Sequence, residues 1–237
     1  MVRAVALGVA VLLTALPGEA QVLSPTTESP RDGSVELRFG SYRPNIDEGL
    51  AKKPFEKVYG TSNLLLFEAE IQRFFYQGIG TAGFSLTVGY AEKFGYTRKA
   101  SDDSQSSERS GFHVLPLHLR ALYRMDYPAL HWHIPLVPYI KPGLVYIPWW
   151  VSKGDKIEET EAKTRGVGGS LGLELAAGVS LMLDILEPRL ARDFDSELGI
   201  NHSYLFAEYA YSKVNNFGRG GLNLSDSYWM FGLALDY

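Results

Sequence analysis

The sequence predicts an all-β fold, an eight-stranded antiparallel transmembrane β-barrel of up-and-down topology. Three observations predict it. Apolar residues alternate with small or polar ones in eight segments, as in strands whose two faces meet different surroundings. Long polar stretches alternate with shorter ones between these segments, as loops and turns do in an outer-membrane barrel. Aromatic residues gather near the segment ends, as in the two interfacial girdles of such barrels.

The alternation defines each predicted strand. The strands are 34–42, 64–75, 81–91, 115–124, 138–150, 170–182, 203–212 and 226–237. Their apolar faces continue for about ten residues, the length of a tilted membrane strand. The opposite faces combine small residues with isolated charges, which suits a narrow lumen better than the water-facing surface of a soluble barrel. The pattern therefore favours a membrane barrel over a soluble one.

Three connections carry specific expectations. The polar stretch 93–111 is predicted to be a long outer loop, and 125–135 a turn on the periplasmic side. The connection between the sixth and seventh strands is long and has apolar residues at helical spacing, from Leu183 to Leu198. This spacing predicts a short periplasmic helix.

The first 20 residues have the pattern of a cleavable signal peptide. Arg3 precedes an apolar run of 12 residues from Val5 to Leu16, and the small residues Gly18 and Ala20 follow. A run this short does not span a bilayer as a permanent helix. We therefore expect a signal peptide at 1–20, a flexible periplasmic segment at 21–33 and the barrel at 34–237, with the protein in the bacterial outer membrane.

Composition excludes several classes of function. The chain has no cysteine, which excludes disulfide scaffolds and thiolate metal sites. A net charge of −4 gives no electrostatic footprint for nucleic acid. No motif predicts a cofactor: in "GVGGSLG", Leu171 stands where a dinucleotide fingerprint needs its last glycine.

The terminal strand has one strongly apolar face. The residues on that face are Trp229, Phe231, Leu233, Leu235 and Tyr237. We expect them to face lipid, while Gly232, Ala234 and Asp236 face the lumen. We also expect this strand to close the barrel against the first, so that no sheet edge stays open.

The mature chain resembles a known family along its whole length, from "ELRFGSYRPNIDEG" through "VPYIKPGLVYIPWW" to the terminal strand. It resembles a family of outer-membrane β-barrel proteins from myxobacterial genomes, and its architecture is similar to that of OmpW-like and OmpA-like small barrels. The resemblance implies a location and a fold but no activity. It also implies that the aromatic C-terminal strand is a signature recognised by the barrel-assembly machinery.

The inward-facing positions predict a lumen charge network of five acids and four bases. Its members are Glu36, Arg38, Glu68, Glu70, Arg120, Arg124, Lys141, Glu174 and Glu208. Nearly balanced charges can pair in a narrow interior, and an eight-stranded barrel is just wide enough to be filled by side chains. We therefore favour a closed, charge-plugged lumen over a selective passage.

The fifth strand contains Pro138, Pro142 and Pro148, none of which can donate a ladder hydrogen bond. Pro138 and Pro148 fit the strand ends. Pro142 predicts a bulge, or a kink that opens a lateral exit to the bilayer, and of these the bulge is favoured.

Candidates for chemistry are few. His113 lies near an outer-loop boundary with Ser110 and Glu108 close in sequence, which is weak support for catalysis. His131 and His133 flank Trp132 and are a candidate metal pair, but no third ligand is nearby. In "YRPNIDEG", Asn45, Asp47 and Glu48 offer oxygen atoms for calcium or lipopolysaccharide, although a turn that ends the first strand explains them as well.

The sequence thus predicts a non-enzymatic outer-membrane barrel with a structural or surface-binding role and no cofactor or metal. The expected partners are outer-membrane lipid, lipopolysaccharide and, during biogenesis, the barrel-assembly machinery. Two alternatives stay open, a conduit for small hydrophobic or polar solutes and a lipid-modifying enzyme.

Overall fold

The structure is a computed structural model that describes residues 31–98, 105–153, 156–157, 166–184 and 198–237. The strands are β1 Gly33–Tyr42, β2 Leu64–Gln77, β3 Thr81–Arg98, β4 Gln105–Val114, β5 Leu117–Arg124, β6 Leu136–Lys153, β7 Lys156–Ile157, β8 Val167–Met182, β9 His202–Val214 and β10 Asp226–Asp236. The predicted signal peptide, most of the segment predicted at 21–33 and most of the predicted periplasmic helix lie outside the described residues.

The strands form one closed antiparallel ring. Strand β1 pairs with β2 on one side and with β10 on the other. Strands β4 and β5 lie end to end between β3 and β6, interrupted only at Leu115–Pro116. The two-residue β7 pairs with the end of β6. Counting β4 and β5 as one strand and leaving out β7, eight strands follow one another round the ring, so the predicted eight-stranded, up-and-down barrel is confirmed.

Short helices lie at both ends of the barrel. We call the end with Arg31 and Tyr237 the terminal end, and the opposite end the loop end. Helix α1, Pro54–Tyr59, lies in the connection between β1 and β2 at the loop end. Helix α2, Tyr127–Trp132, lies at the terminal end, where the sequence predicted only a turn, and a 3₁₀ turn covers Asn216–Gly218. No helix within the described part of the chain is long and apolar enough to cross a membrane.

The predicted outer loop at 93–111 is wrong over most of its length. Strand β3 continues to Arg98 and β4 begins at Gln105, so the two form a long hairpin whose register includes Lys93↔Phe112 and Gly95↔Ser110. Polar residues are compatible with this ladder because its hydrogen bonds join backbone groups, whatever the side chains. The polar sequence shows where the continuous apolar face ends, but the strand itself continues beyond that point.

The predicted bulge at Pro142 is also wrong. The β6–β8 register is continuous from Leu136 to Trp150. Pairing between β5 and β6 stops at Arg120↔Gly143 and resumes at Tyr123↔Ile140 with the same offset. Ala121 therefore lies opposite Pro142, and the missing proline N–H interrupts the ladder without inserting a residue.

The interior is filled in layers. At the loop end an apolar cluster includes Phe112 and Tyr228, with Phe55 and Tyr59 of α1 packed against it. At the terminal end a second apolar cluster includes Tyr204, with Ala129 and Leu130 of α2. Charged side chains lie between the two clusters, and a second charged group lies beside the terminal cluster, where Arg124 contacts the Phe74 and Tyr204 rings. A short helix thus packs against the apolar cluster at each end of the barrel.

Candidate functional site: the lumen charge network

All nine residues of the predicted lumen charge network are buried inside the barrel. They come from six strands: β1, β2, β5, β6, β8 and β9. Side chains at alternate positions point to the same face of a strand, so each strand contributes one or two charges to the inner face. The structure divides the nine into two groups at different depths.

Arg38 is at the centre of the larger group, which we call the central network. Its guanidinium contacts Glu36 at 3.3 Å, Glu68 at 3.2 Å and Glu70 at 2.6 Å, and it also binds Glu208. A planar guanidinium presents five donors in fixed directions, which lets one side chain serve several carboxylates. Arg38 therefore links β1 to β2 and, across the lumen, to β9.

Two further cations complete the central network. Lys141 Nζ lies 3.0 Å from Glu36 and 2.7 Å from Glu70. Arg120 lies 2.9 Å from Glu70 and 2.6 Å from Glu174. Glu70 thus contacts Arg38, Lys141 and Arg120 at once, which explains how an ionised carboxylate is stable in a site without solvent access.

His118 belongs to the central network but was not among the predicted members. Its Nε2 lies 3.2 Å from Glu68 and its Nδ1 3.3 Å from Glu174. Neutral groups join as well: Gln72 donates to Glu70, and Tyr228 donates to Glu174. The inward parity of these strands is the sequence signal that marks all three, although only residues with a permanent charge were predicted to join the network.

The central network holds five carboxylates against three permanent cations. Its carboxylates are Glu36, Glu68, Glu70, Glu174 and Glu208, and its cations are Arg38, Arg120 and Lys141. His118 bridges the two carboxylates Glu68 and Glu174. Such an arrangement ties the wall strands together across the lumen.

Arg124 is separate from the central network, so the prediction of one network with all nine charges is wrong for this residue. It forms a bidentate pair with Asp236 at 2.7 and 3.1 Å. Arg31 lies 2.9 Å from Asp126 and 3.6 Å from Asp236. These two arginines and two aspartates form a balanced quartet at the terminal end, and the quartet binds the residues just before β1 to the last strand.

The segment "YRPNIDEG" anchors the helix at the loop end. Asp47 accepts hydrogen bonds from the backbone N–H groups of Phe55 and Glu56 at 2.9 and 2.8 Å, which places a carboxylate at the start of α1. Glu48 accepts one from the Asn223 side chain at 2.5 Å. These oxygens therefore bind groups of the protein itself at the loop end.

The histidine candidates do not form the sites that sequence spacing suggested. Ser110 faces inward and shares a hydrogen bond of 2.9 Å with Tyr59, while Glu108 pairs with Lys153 at 2.5 Å. Neither joins His113. His131 lies in helix α2 and His133 follows it in the left-handed conformation, not in an extended segment. Within the described ranges no group of three His, Cys, Asp or Glu side chains is arranged to hold a metal ion.

The terminal strand has the alternation expected of it. Trp229, Phe231 and Leu233 are exposed on the outer face, Leu235 and Tyr237 are half-buried, and Ala234 and Asp236 are buried on the inner face. Its register with β1 includes Phe39↔Phe231 and Leu37↔Leu233. The outer surface is therefore continuous and apolar across the β1–β10 pairing.

No protein-family model matches the chain, and no curated protein matches it significantly. Solved structures similar to it are small bacterial outer-membrane barrels. The outer-membrane protein OprG from Pseudomonas aeruginosa is 14% identical over 87% of this chain and 97% of that one, with a TM-score of 0.46. Neisserial surface protein A is 13% identical over 86% and 96%, with a TM-score of 0.42. The N-terminal β-barrel domain of Pseudomonas aeruginosa OprF is 13% identical over 88% and 100%, with a TM-score of 0.42. These likenesses concern the general architecture, and the myxobacterial family stays a prediction.

Proposed function

We propose that the protein is an integral barrel of the bacterial outer membrane whose closed lumen makes it a structural or surface-binding protein. The outer surface carries this proposal. Large apolar side chains are exposed on every wall strand, among them Leu37, Phe67, Leu86, Leu119, Leu144, Leu173, Leu205 and Phe231. An apolar surface that encircles the barrel far exceeds the patches that soluble monomers expose. A bilayer covers such a surface.

The filled interior supports a structural role over a porin role. Charged side chains bind one another at mid-depth, and apolar clusters with α1 and α2 lie above and below them. A pore would require these contacts to break together. Removing one partner of a single buried pair already costs about 3–5 kcal/mol, so the closed arrangement is the stable one.

Two measurements test the proposal. The purified protein should need detergent to stay in solution and should migrate differently on a gel before and after heating. In planar bilayers it should show no stable large conductance. A chain that is soluble without detergent would refute membrane insertion. Steady small channels whose ion selectivity changes with Glu70→Lys would refute the closed lumen.

One observation favours the second candidate, a conduit with a lateral exit. Leu115 donates to the Pro148 carbonyl and Met125 to the Pro138 carbonyl, each at 2.9 Å, and neither proline can return a hydrogen bond. With Pro142 opposite Ala121, the β5–β6 seam lacks three ladder bonds. Uptake of a small hydrophobic dye into liposomes that contain the protein tests this candidate. A conduit would be slowed by Pro142→Ala, whereas a closed structural barrel gives no uptake with either variant.

The partners we propose are lipid, lipopolysaccharide and the barrel-assembly machinery. Exposed basic residues at the loop end, such as Lys52 and Lys53, suit lipid phosphates. The aromatic terminal strand suits recognition during assembly. Deleting Tyr237 should therefore reduce outer-membrane yield in cells more than it reduces the stability of the refolded barrel. Equal losses in yield and stability would assign Tyr237 to the barrel wall alone.

A further inference from the structure

A polar cluster lies on the outer face at the loop end, apart from the lumen charge network. The register places Glu92 of β3 beside His113 of β4, and His113 beside Trp150 of β6. Ser152 follows on the same face of β6, two residues beyond Trp150. Three neighbouring strands thus bring a serine, a histidine and a carboxylate together on the surface that faces the membrane.

The hydrogen bonds in this cluster have the order of a hydrolase triad. His113 Nε2 lies 2.9 Å from Ser152 Oγ. On the other side of the ring, His113 Nδ1 lies 2.9 Å from Tyr90 Oη and 3.4 Å from Glu92. A nucleophile bound to a base that a third group orients is the signature of covalent catalysis by serine.

Tyr90 fixes the tautomer of His113. The Tyr90 hydroxyl donates to Glu92 at 2.8 Å, so its oxygen is left as an acceptor for an N–H on Nδ1. With the proton on Nδ1, Nε2 has its lone pair free to accept the proton of Ser152. The contacts at Nδ1 of the imidazole thereby leave Nε2 able to act as a base.

We propose that Ser152, His113 and Glu92 form the active site of an esterase that hydrolyses carboxylic esters of membrane lipids. Ser152 is the nucleophile and His113 the general base. Glu92 and Tyr90 are positioning residues. The choice of a lipid substrate rests on the membrane insertion proposed above, whereas the triad itself does not.

Gly111 leaves room for the Ser152–His113 contact because it carries no side chain. A Cβ built at Gly111 would lie 2.7 Å from both His113 Nε2 and Ser152 Oγ. A side chain at position 111 would therefore displace these two atoms, and glycine allows them to meet. Ser152 itself is only half-buried.

The surroundings of the triad suit an acyl chain. Trp150 stacks on His113 with ring centroids 5.2 Å apart, and Phe94 meets the same ring edge-on at 5.8 Å. These rings leave His113 only 8% exposed. A groove of about 1350 Å³ is lined by Tyr90 and Trp150, which both contact His113, and by outward apolar side chains such as Phe67. It offers an acyl chain an apolar surface beside the triad.

The triad lies towards the loop end of the barrel, a position that suits the head group of a lipid. Arg109 places its guanidinium 4.1 Å from the centre of the Phe94 ring, beside the triad. A cation at this level can bind phosphate groups of the outer leaflet. Because the ester bonds of lipids lie between phosphates and acyl chains, an ester bound between Arg109 and the groove would lie near Ser152.

The reaction balances with water as the only co-substrate. Ser152 Oγ attacks the ester carbonyl carbon while His113 Nε2 takes its proton, and the bond to the alcohol oxygen then breaks as His113 returns that proton to the leaving alcohol. The product is acyl-Ser152. Water attacks the acyl carbonyl, gives one proton to His113, and the fatty acid leaves as the proton passes back to Ser152 Oγ.

The first test uses the full mature chain refolded in detergent with a p-nitrophenyl ester of a medium-length fatty acid. Ser152→Ala and His113→Asn should each lower hydrolysis about 10³-fold or more. Ser110→Ala is the matched control, because Ser110 is close in sequence to His113 but faces inward, and it should keep wild-type activity. A fluorophosphonate probe should label Ser152 and no other serine.

The positioning residues have their own readout. Glu92→Gln and Tyr90→Phe should lower kcat and shift the pH at which activity is half-maximal, while KM stays near the wild-type value. A purely structural role would lower the folded fraction without moving the pH profile of the folded protein. Heat-modifiable gel mobility measures the folded fraction of every variant, so a failure to form the barrel is distinguished from a failure of the triad.

A second test identifies the lipid. Vesicles of phosphatidylethanolamine and phosphatidylglycerol form one arm, and vesicles that contain lipopolysaccharide form the other, with released fatty acids measured by mass spectrometry. Release in either arm that disappears with Ser152→Ala supports the proposal and names the source of the ester. Folded protein that hydrolyses neither lipids nor the p-nitrophenyl ester, and that leaves the probe unbound, overturns it.

Discussion

The inner and outer surfaces of the barrel are built from the same strands but follow opposite rules. On β1, Glu36 and Arg38 point into the lumen and are buried, while Leu37 and Phe39 point outward and are exposed. A water-soluble protein places these residue types the other way round. Each charge inside is matched by partners on other strands, whereas each apolar side chain outside needs only an apolar surrounding.

This difference predicts how each surface responds to substitution. The inner surface is specific, because a buried charge is stable only with its own partners in place. The outer surface is tolerant of apolar exchange and intolerant of charge, because lipid accepts many apolar shapes and solvates no ion. Inside the barrel, the largest loss of stability should therefore come from removing a charged partner. On the outer surface, it should come from introducing a charge.

The largest effect is expected inside, at Arg38. Arg38→Met should lower the free energy of unfolding by about 3–5 kcal/mol, because four carboxylates lose a shared cation in a buried site. Urea unfolding of the refolded protein in micelles or vesicles measures the change.

Arg43→Met is the control for this prediction. Arg43 follows the same strand, is partly exposed and pairs with Glu56 at 3.6 Å. An exposed pair of this kind contributes about 0–1 kcal/mol. Equal losses for Arg38→Met and Arg43→Met would mean that the central network does not stabilise the barrel.

A smaller effect is expected outside, at Leu233. Leu233→Arg should destabilise the inserted barrel by about 2–4 kcal/mol, the transfer cost of an arginine near the middle of the bilayer. Unfolding from lipid vesicles gives the value. Leu50→Arg is the matched control, since Leu50 is 49% exposed against 38% for Leu233 but lies in the loop-end connection. If both variants lose the same stability, the outer face of β10 does not contact lipid.

The smallest of the three effects is expected at His118. His118→Gln keeps a polar side chain between Glu68 and Glu174 but removes the imidazole bridge, and we expect a loss of about 1–2 kcal/mol. His131→Gln, at an exposed position of α2, should change stability by less than about 0.5 kcal/mol. A His118→Gln variant as stable as the wild type would show that the three permanent cations hold the central network alone.

The course of the chain between strands was the part that sequence reasoning predicted least well. Polarity between residues 93 and 111 suggested a loop, but the β3–β4 hairpin continues through most of it because backbone groups can pair wherever two antiparallel strands stay adjacent. Pro142 suggested a bulge, but both neighbouring registers keep their offset. The composition of one segment does not show whether the neighbouring strand keeps its register beside a proline or a polar stretch.

The assignment of inward and outward faces could be made from the sequence alone. Alternation on β1, β2 and β10 is a local property, because successive side chains of a strand point to opposite sides whatever lies beside it. The same alternation placed Glu70 and Lys141 inside before any pairing was known. The number of such segments also predicted the number of strands, whereas closure of the ring is shown by the β1–β10 pairing.

Which charges meet was decided only by the tertiary structure. Arg124 binds Asp236 and not the central network, and His113 meets Ser152 and Glu92 in place of Ser110 and Glu108. These contacts depend on strand registers that join segments far apart in the chain, and a shift of one residue would turn every side chain of a strand to the other face. The alternation of the sequence determines which face of the strand each residue occupies, because alternation is a local property. The strand register determines which residues become neighbours, because pairing joins segments that are far apart in the chain.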